Sequence, residues 1–155
     1  MYQMLGESIL ELEINGEIKK VIARPSDTLL YVLREKLGLT AAKNSCENGD
    51  CNACTILFDG WPQKACLILA VEAIGHKITT AEGLKDTPIQ KAFLEKFALQ
   101  CGYCTPGFIV NSHALVNIHP DASDEIMREW LQSNICRCTS YTEISAAVKS
   151  VLGRG

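Results

Sequence analysis

Eight cysteines in a chain of 155 residues constrain the fold more than any other feature of this sequence. They divide into two groups of four, with none left over. The first group reads C-x4-C-x2-C, with a fourth cysteine after eleven further residues, and comprises Cys46, Cys51, Cys54 and Cys66. The second reads C-x2-C, a long gap and C-x-C, and comprises Cys101, Cys104, Cys136 and Cys138. Because small domains have thin cores that often need a staple, each group predicts a metal site that stabilises its own half of the chain.

The first group has the spacing of plant-type ferredoxins, in which four thiolates hold a [2Fe–2S] cluster. A structural zinc site more often has two C-x2-C pairs, so zinc is the less favoured alternative here. The short loop from Cys46 to Cys54 must curl around the metal with its amide hydrogens turned inward, where they donate to sulfur. Gly49 can supply a positive φ in this loop, and Asn48 or Asn52 can tolerate one.

The second group is less specific when it is considered alone. A zinc site or a thioredoxin-like redox pair would also fit C-x2-C with a distant C-x-C. Beside a first cluster, however, a second cluster would extend a path for electrons, whereas zinc carries none. We therefore predict a second [2Fe–2S] cluster, with disulfides as the remaining alternative for all eight cysteines.

Charge and hydropathy argue against several classes of partner. The formal net charge is −3 and no basic run is longer than Lys19-Lys20, which argues against nucleic acid. No stretch approaches the roughly 20 apolar residues of a membrane helix, and residues 1–16 lack the basic region and apolar run of a signal peptide. We therefore expect a cytoplasmic protein without a membrane span, and dense cysteine in that compartment favours metal or redox chemistry.

The first half predicts a small sheet around one helix. Alternating apolar residues from Leu10 to Ile14 have the period of a half-buried strand, and Asn15-Gly16 predicts a tight hairpin turn. Leucines at i, i+4 and i+8 from Leu29 to Leu37 predict a helix that Gly38 ends. The predicted strands occupy residues 10–14, 17–23, 55–58, 61–69 and 77–80. This order is that of a ferredoxin-like β-grasp domain, for which we predict the bounds 7–82.

The second half predicts four helices, each with a start signal. The signals are capping residues or prolines at the first helical position, at Thr87, Thr105-Pro106, Ser123 and Ser140. In the first helix, Ile89, Phe93 and Phe97 are expected to share one face. The second helix is apolar nearly all round, which predicts a central position, and Pro120 ends it.

This layout places the second cysteine group at two turns between helices. Cys101 and Cys104 fall between the first and second helices, and Cys136 and Cys138 between the third and fourth. The half is therefore predicted to be two helix pairs, each with a cysteine pair at its turn. The N-termini of the following helices favour the negative charge of a thiolate-bound cluster. We predict a helical [2Fe–2S]-binding domain over residues 83–153.

The remaining side chains offer no enzyme chemistry of their own. His76, His113 and His119 are expected to be packed, hydrogen-bonded or turn residues rather than metal ligands. The sequence contains no G-x-G-x-x-G, no phosphate-binding loop and no nucleophile–base arrangement. No catalytic residue is therefore expected in this chain.

Three strings carry a resemblance to a known family: CENGDCNACTILFDG, QCGYCTPGF and SNICRCTSY. They resemble the small iron–sulfur subunit of molybdenum-containing hydroxylases, a group that includes xanthine dehydrogenase, aldehyde oxidoreductase and carbon monoxide dehydrogenase. The likeness extends from about Leu10 to Leu152. It implies an α+β chain, with an N-terminal β-grasp domain followed by a C-terminal four-helix domain and one [2Fe–2S] cluster in each. It also implies two partners, a large molybdopterin-binding subunit and a medium FAD-binding subunit, assembled as a dimer of heterotrimers.

The resemblance further implies roles for the two cysteine groups. The second group would bind the cluster nearer molybdenum, with Gln100 and Cys138 close to the pterin. The first group would bind the cluster nearer flavin, so that electrons pass from the molybdopterin centre to FAD. The substrate would be chosen by the large subunit, with a purine or another N-heterocycle favoured. The alternatives are a free-standing two-cluster ferredoxin and a zinc-stabilised interaction module.

Three residues depart from the usual pattern of that family. Asn52 stands where a glycine generally follows the second cysteine, and Ser133 and Ser140 replace glycines that flank the CRCT run. Asparagine is the non-glycine residue that best tolerates a positive φ, so the loop is expected to survive this change. Ser140 is expected to cap the fourth helix.

Overall fold

The computed structural model describes residues 6–139 and 141–154, and its first half is built on a five-stranded mixed sheet. The strands are β1 (Ser8–Ile14), β2 (Glu17–Ala23), β3 (Thr55–Phe58), β4 (Trp61–Lys64) and β5 (Lys77–Thr79). Their spatial order is β2-β1-β5-β3-β4. β1 and β5 run parallel, and the other neighbours are antiparallel.

The β1–β2 hairpin follows the predicted pattern. Leu10, Leu12 and Ile14 are all at most 2% exposed, as the alternation requires. Asn15 and Gly16 have φ angles of 54° and 81°, and two positive φ angles are what a tight turn between twisted strands needs. The prediction of both the strand and its turn is confirmed.

The predicted helix of the first half is short and changes its winding. It begins as α1 (Leu29–Tyr31) and continues through Val32–Lys36 as a wider turn, in which the Leu37 N–H donates to the Val32 carbonyl at 3.1 Å. Leu29 and Leu33 are fully buried against the sheet. Gly38, with φ +70°, ends the element as predicted.

The strand predicted over residues 61–69 is shorter than expected. It ends at Lys64, because Ala65–Leu67 forms a 3-10 turn. The Ala65 N–H donates to the carbonyl of Cys54 at 3.3 Å, so this turn is tied to the end of the cysteine loop. As a result, Cys66 lies on a turn rather than on a strand.

The second half contains the four predicted helices. They are α2 (Pro88–Glu95), α3 (Thr105–Ile118), α4 (Asp124–Gln132) and α5 (Tyr141–Val151). The capping box of Thr87 and Gln90 is present, and the Ser123 hydroxyl accepts from the Ile126 N–H at 3.2 Å. The predicted cap at Ser140 lies outside the described residues. Among the described residues, no helix is long and apolar enough to cross a membrane.

Helix α3 is central, as its apolar surface predicts. Phe108 and Leu115 lie in the helical core, and Val110 and Ala114 pack against Leu57 of the sheet. The predicted pairing of the first helix with the second and of the third with the fourth is wrong, since α2 packs mainly on α5 and, among the helices, α3 packs mainly on α4. Each cysteine-bearing turn therefore joins two different packed pairs, which ties the four helices together at one end.

The sequence predicts that Phe97 shares one face of the helix with Ile89 and Phe93, and this is wrong because α2 ends at Glu95. The ring is 81% exposed and the residue has φ +53°, just beyond the end of α2. The Phe97 N–H donates to the Leu94 carbonyl at 3.2 Å and the Ala98 N–H to the Phe93 carbonyl at 2.9 Å. These two bonds form a Schellman motif, in which Phe97 occupies the left-handed position that glycine usually takes.

We expect Phe97→Gly to stabilise the isolated chain by about 0.5–1 kcal/mol, because glycine adopts a positive φ without strain from a Cβ. Urea unfolding of the cluster-loaded chain measures this. Phe97→Ala removes the same ring but keeps the Cβ, so it is the matched control and should not show the gain. Equal stability of the two variants would contradict the strain at this position.

Candidate functional site

The fold brings the four cysteines of the first group together. Cys46 and Cys51 are half-buried and in hydrogen-bond contact, whereas Cys54 and Cys66 are buried and in contact with each other. The Cys51 thiol is close enough to Cys54 to contribute to the raised pKa of Cys54. The group is therefore two contacting pairs side by side.

Backbone amides in the cysteine loop point at sulfur, as the sequence predicts. The Cys51 N–H donates to Cys46 Sγ at 3.4 Å, and the Ala53 N–H donates to Cys51 Sγ at 3.5 Å. The bond from Cys51 is the main reason why the pKa of Cys46 falls to about 6. Such donors stabilise a thiolate, which is the form that binds iron.

Three residues hold this loop in left-handed conformations. Gly49 and Asn52, both anticipated, have φ angles of +86° and +54°. A Cβ on Gly49 would lie 2.6 Å from Leu67 Cδ1, but this exposed side chain can move aside, so the positive φ is what favours glycine here. Glu47 has φ +55°, which its sequence gives no reason to expect.

Asn52 allows a direct test of this backbone conformation. We expect Asn52→Ala to be less stable than Asn52→Gly by about 1–2 kcal/mol, because both lose the amide but alanine keeps a Cβ at positive φ. Loss of visible cluster absorption during denaturant unfolding is the measurement. The left-handed assignment is refuted if the two variants unfold at the same midpoint with the same denaturant dependence.

The second group also forms two pairs. Cys101 and Cys138 are exposed, and their sulfur atoms lie 3.6 Å apart. Cys104 and Cys136 are half-buried and in hydrogen-bond contact. Cys104 is the cap residue that precedes α3, and the Thr139 N–H donates to Cys136 Sγ at 3.2 Å. The two turns predicted to meet therefore do meet.

The thiols of each group differ in pKa because burial and hydrogen bonds act on them to different extents. Burial raises the pKa of Cys54 and of Cys104 to about 12. The contact with Cys101 raises the pKa of Cys138 above its usual value. Burial acts in the same direction on Cys136, but bonds from Cys104 and from backbone amides outweigh it and lower that pKa. Since ligand thiols must be deprotonated, metal binding at either site releases protons.

The donor set fits a two-iron cluster. A [2Fe–2S] cluster takes four thiolates, two on each iron. Both groups present their sulfurs as two contacting pairs with amide donors aimed at sulfur. Among residues 6–139 and 141–154, no three His, Cys, Asp or Glu side chains are arranged as ligands of one metal ion. Paired thiols are the arrangement that a cluster of two irons requires.

The remaining residues considered in the sequence are Gln100 and the three histidines. Gln100 is exposed and adjacent in sequence to the exposed Cys101, so its approach to a pterin stays a prediction. His113 is hydrogen-bonded to Asn117, and His76 to Asp59 at 2.6 Å, which agrees with structural roles. His119 ends α3 and packs edge-on against an aromatic ring of α4.

Sequence reasoning did not find two residues that join the sites. Asn134 is 1% exposed and donates from Nδ2 to the Asn52 carbonyl at 3.0 Å. Gly107 lies against the same carbonyl, and a Cβ there would be 2.5 Å from its oxygen. Neither residue belongs to a hydrophobic period or a ligand spacing, so nothing in the sequence marks them. Their role becomes visible only from their contacts in the folded chain.

Two family models of known proteins match this chain, one in each half. Residues 12–76 match the 2Fe-2S iron-sulfur cluster binding domain family and residues 80–149 match the [2Fe-2S] binding domain family. The nicotinate dehydrogenase small FeS subunit of Eubacterium barkeri is 42% identical over 97% of this chain and 98% of its own length.

Two solved structures share the whole fold. Quinoline 2-oxidoreductase from Pseudomonas putida has a chain that matches with a TM-score of 0.90 and 37% identity, covering 96% of both chains. The aldehyde oxidoreductase from Desulfovibrio desulfuricans matches with a TM-score of 0.89 and 38% identity, over 94% of this chain but 17% of that longer one. The α+β fold, two [2Fe–2S] domains and these relatives together show that this chain belongs to the family of small iron–sulfur subunits of molybdenum-containing hydroxylases.

Proposed function

We propose that this chain carries electrons from a molybdopterin centre on a large partner subunit to FAD on a medium partner subunit. The observation that supports this most strongly is that hydrogen bonds join the two cysteine groups. They run from the segment of Asn134 to the loop of Cys51 and Asn52. A subunit that passes electrons between two partners needs two redox sites at a fixed separation. When bound, each cluster supplies one-electron transfer.

The eight cysteines are the proposed ligands. One cluster belongs to Cys46, Cys51, Cys54 and Cys66, and the other to Cys101, Cys104, Cys136 and Cys138. The chain's own contribution is to bring the thiolates together in pairs, to donate amide hydrogens to sulfur and to exclude water from Cys54 and Cys66. We propose bounds of 7–82 and 83–153 for the two domains that do this.

The second site is proposed to face the molybdopterin subunit. Cys101 and Cys138 are exposed, so a partner can approach their cluster closely. Two apolar side chains near them in sequence, Leu94 and Phe97, are 66% and 81% exposed. A partner that docks on this segment would cover these two exposed apolar side chains. Gln100 lies in the same segment, which supports its proposed approach to the pterin.

The relatives support a multi-subunit enzyme with larger partners. We propose a dimer of heterotrimers in the cytoplasm, with an N-heterocycle as substrate of the large subunit. Nicotinate and quinoline, named in the relatives, are both N-heterocycles. This chain itself contributes no catalytic residue to the proposed reaction.

Anaerobic purification of the untagged protein from its own host tests the proposal. We expect about four iron and four sulfide per chain, since each of two clusters holds two irons. Native mass measurement should show the chain with two larger subunits that carry molybdenum and flavin. An iron-loaded chain that migrates alone would favour the free ferredoxin, and zinc in place of iron would favour the interaction module.

A further inference from the structure

We propose that Asn134 is a positioning residue that fixes the separation between the two cysteine groups. The inference deepens the proposed electron-transfer role and rests on it for one of its two measurements. Asn134 lies on the segment that leads into Cys136, and its side chain reaches the carbonyl of Asn52, which follows Cys51. A single amide therefore spans from one ligand loop to the other.

The contact is continuous with a second hydrogen bond. The N–H of Ile135 donates to the carbonyl of Cys51 at 3.1 Å, beside the bond from Asn134 Nδ2 to the Asn52 carbonyl at 3.0 Å. The two residues that precede Cys136 thus bind two successive carbonyls of the first cysteine loop. Rotation of either segment would break both bonds together.

The Asn134 amide cannot turn away from this contact at low cost. Its Oδ1 accepts from Asn111 Nδ2 at 2.9 Å and from the Ser133 hydroxyl at 3.0 Å, which leaves Nδ2 facing the Asn52 carbonyl. Asn111 is itself held by a bond from its Nδ2 to the Trp130 carbonyl at 2.8 Å. With Asn134 1% exposed and Asn111 4% exposed, water cannot readily replace these partners.

The accepting loop is equally well defined. The Asn52 carbonyl also accepts from the Thr55 hydroxyl at 2.6 Å, and the left-handed φ of Asn52 sets its direction. The other cysteine-bearing turn adds a parallel tie, because the Tyr103 hydroxyl donates to the Asn44 carbonyl just before Cys46. Of the two residues that bond to the first cysteine loop through their side chains, Asn134 is buried, whereas Tyr103 is 47% exposed.

The test uses the full chain with both clusters loaded and two matched variants. Asn134→Leu keeps the branched shape but removes the donor and the acceptor. Asn117→Leu makes the same change at an exposed site on α3, where, within residues 6–139 and 141–154, the amide bonds only to His113 of its own helix. If Asn134→Leu does not fold, Asn134→Ala replaces it, because it removes the same bonds without new bulk.

Native-state hydrogen exchange at the Ile135 amide is the first measurement. We expect exchange to rise by about 10-fold or more in Asn134→Leu and to stay at the wild-type rate in Asn117→Leu. Unchanged protection at Ile135 in both variants would overturn the proposal. This measurement does not depend on what the clusters do, so it holds even if the electron-transfer role is wrong.

The magnetic interaction between the two reduced clusters is the second measurement, because it depends on their separation. We expect the spectral splitting to change in Asn134→Leu and not in Asn117→Leu. Faster exchange at Ile135 with unchanged splitting would mean that Asn134 has a local structural role alone, and would also overturn the proposal. Absence of iron from the wild-type chain would instead refute the proposed function, while the exchange result would still decide whether Asn134 ties the two cysteine-bearing segments together.

Discussion

Cys104→Ser is expected to lower the iron content of the chain from about four to about two per molecule, because the second site loses one of its four thiolates. One of the two [2Fe–2S] signals in the electron paramagnetic resonance spectrum should disappear and the plant-type signal should remain. In the assembled enzyme, substrate should then no longer reduce the flavin, since the relay is interrupted. Cys104 is half-buried in contact with Cys136, where solvent has little access to supply a replacement ligand.

Cys54→Ser is the reciprocal variant for the first site. It removes a buried thiol in contact with Cys66 and should remove the plant-type signal instead. Because that cluster joins the loop to the turn of Cys66, we expect the first half also to lose stability, as small metal-binding domains do. If both signals persist in either variant, the assignment of ligands to that site is wrong.

The parts of the fold that sequence predicts well are those determined by neighbouring residues. The alternation from Leu10 to Ile14 and the Asn15-Gly16 turn need no information from the rest of the chain. The same holds for the Thr87 capping box, whose partner Gln90 is three residues away. The cysteine spacings are also local for three of the first four ligands, which is why that site can be recognised before the fold is known.

The errors arise at the ends of elements, where the sequence pattern continues but the backbone changes direction. The strand from Trp61 ends early because the backbone enters a 3-10 turn at Ala65–Leu67, which buries Ala65 and Cys66. The spacing of Phe97 predicts that it shares a helix face with Ile89 and Phe93, but the two hydrogen bonds that close α2 place it in a left-handed turn instead. Helical spacing does not show at which residue a helix stops.

The link between the two sites lies beyond any local pattern. Asn134 and Asn52 are 82 residues apart in the chain, and each would be an ordinary polar loop residue if it were considered alone. Their contact depends on the packing of α3 against β3, which is a property of the whole fold. Sequence therefore predicts the ligands of each site but not the geometry that relates one site to the other.

Gly107→Ala tests how closely α3 must approach the first cysteine loop. The added Cβ would lie 2.5 Å from the backbone oxygen of Asn52 and 3.2 Å from Asn134 Nδ2, so the helix or the loop must shift. Alanine favours a helix by about 1 kcal/mol over glycine, which opposes the clash. Overpacking of this kind costs about 1–3 kcal/mol, and backbone in a metal-binding loop yields less easily than a side chain. We therefore expect a net loss of stability together with weaker protection of the Ile135 amide.

Denaturant unfolding and hydrogen exchange of the cluster-loaded chain measure these two effects. Asn117→Ala, at an exposed position of the same helix, is the control for helix propensity without the close approach. A Gly107→Ala chain that is as stable as the wild type, with the Ile135 amide fully protected, would show that α3 and the loop can separate without cost. The close approach would then be incidental, and the separation of the two sites would have to be held by the polar bonds of Asn134, Ile135 and Tyr103.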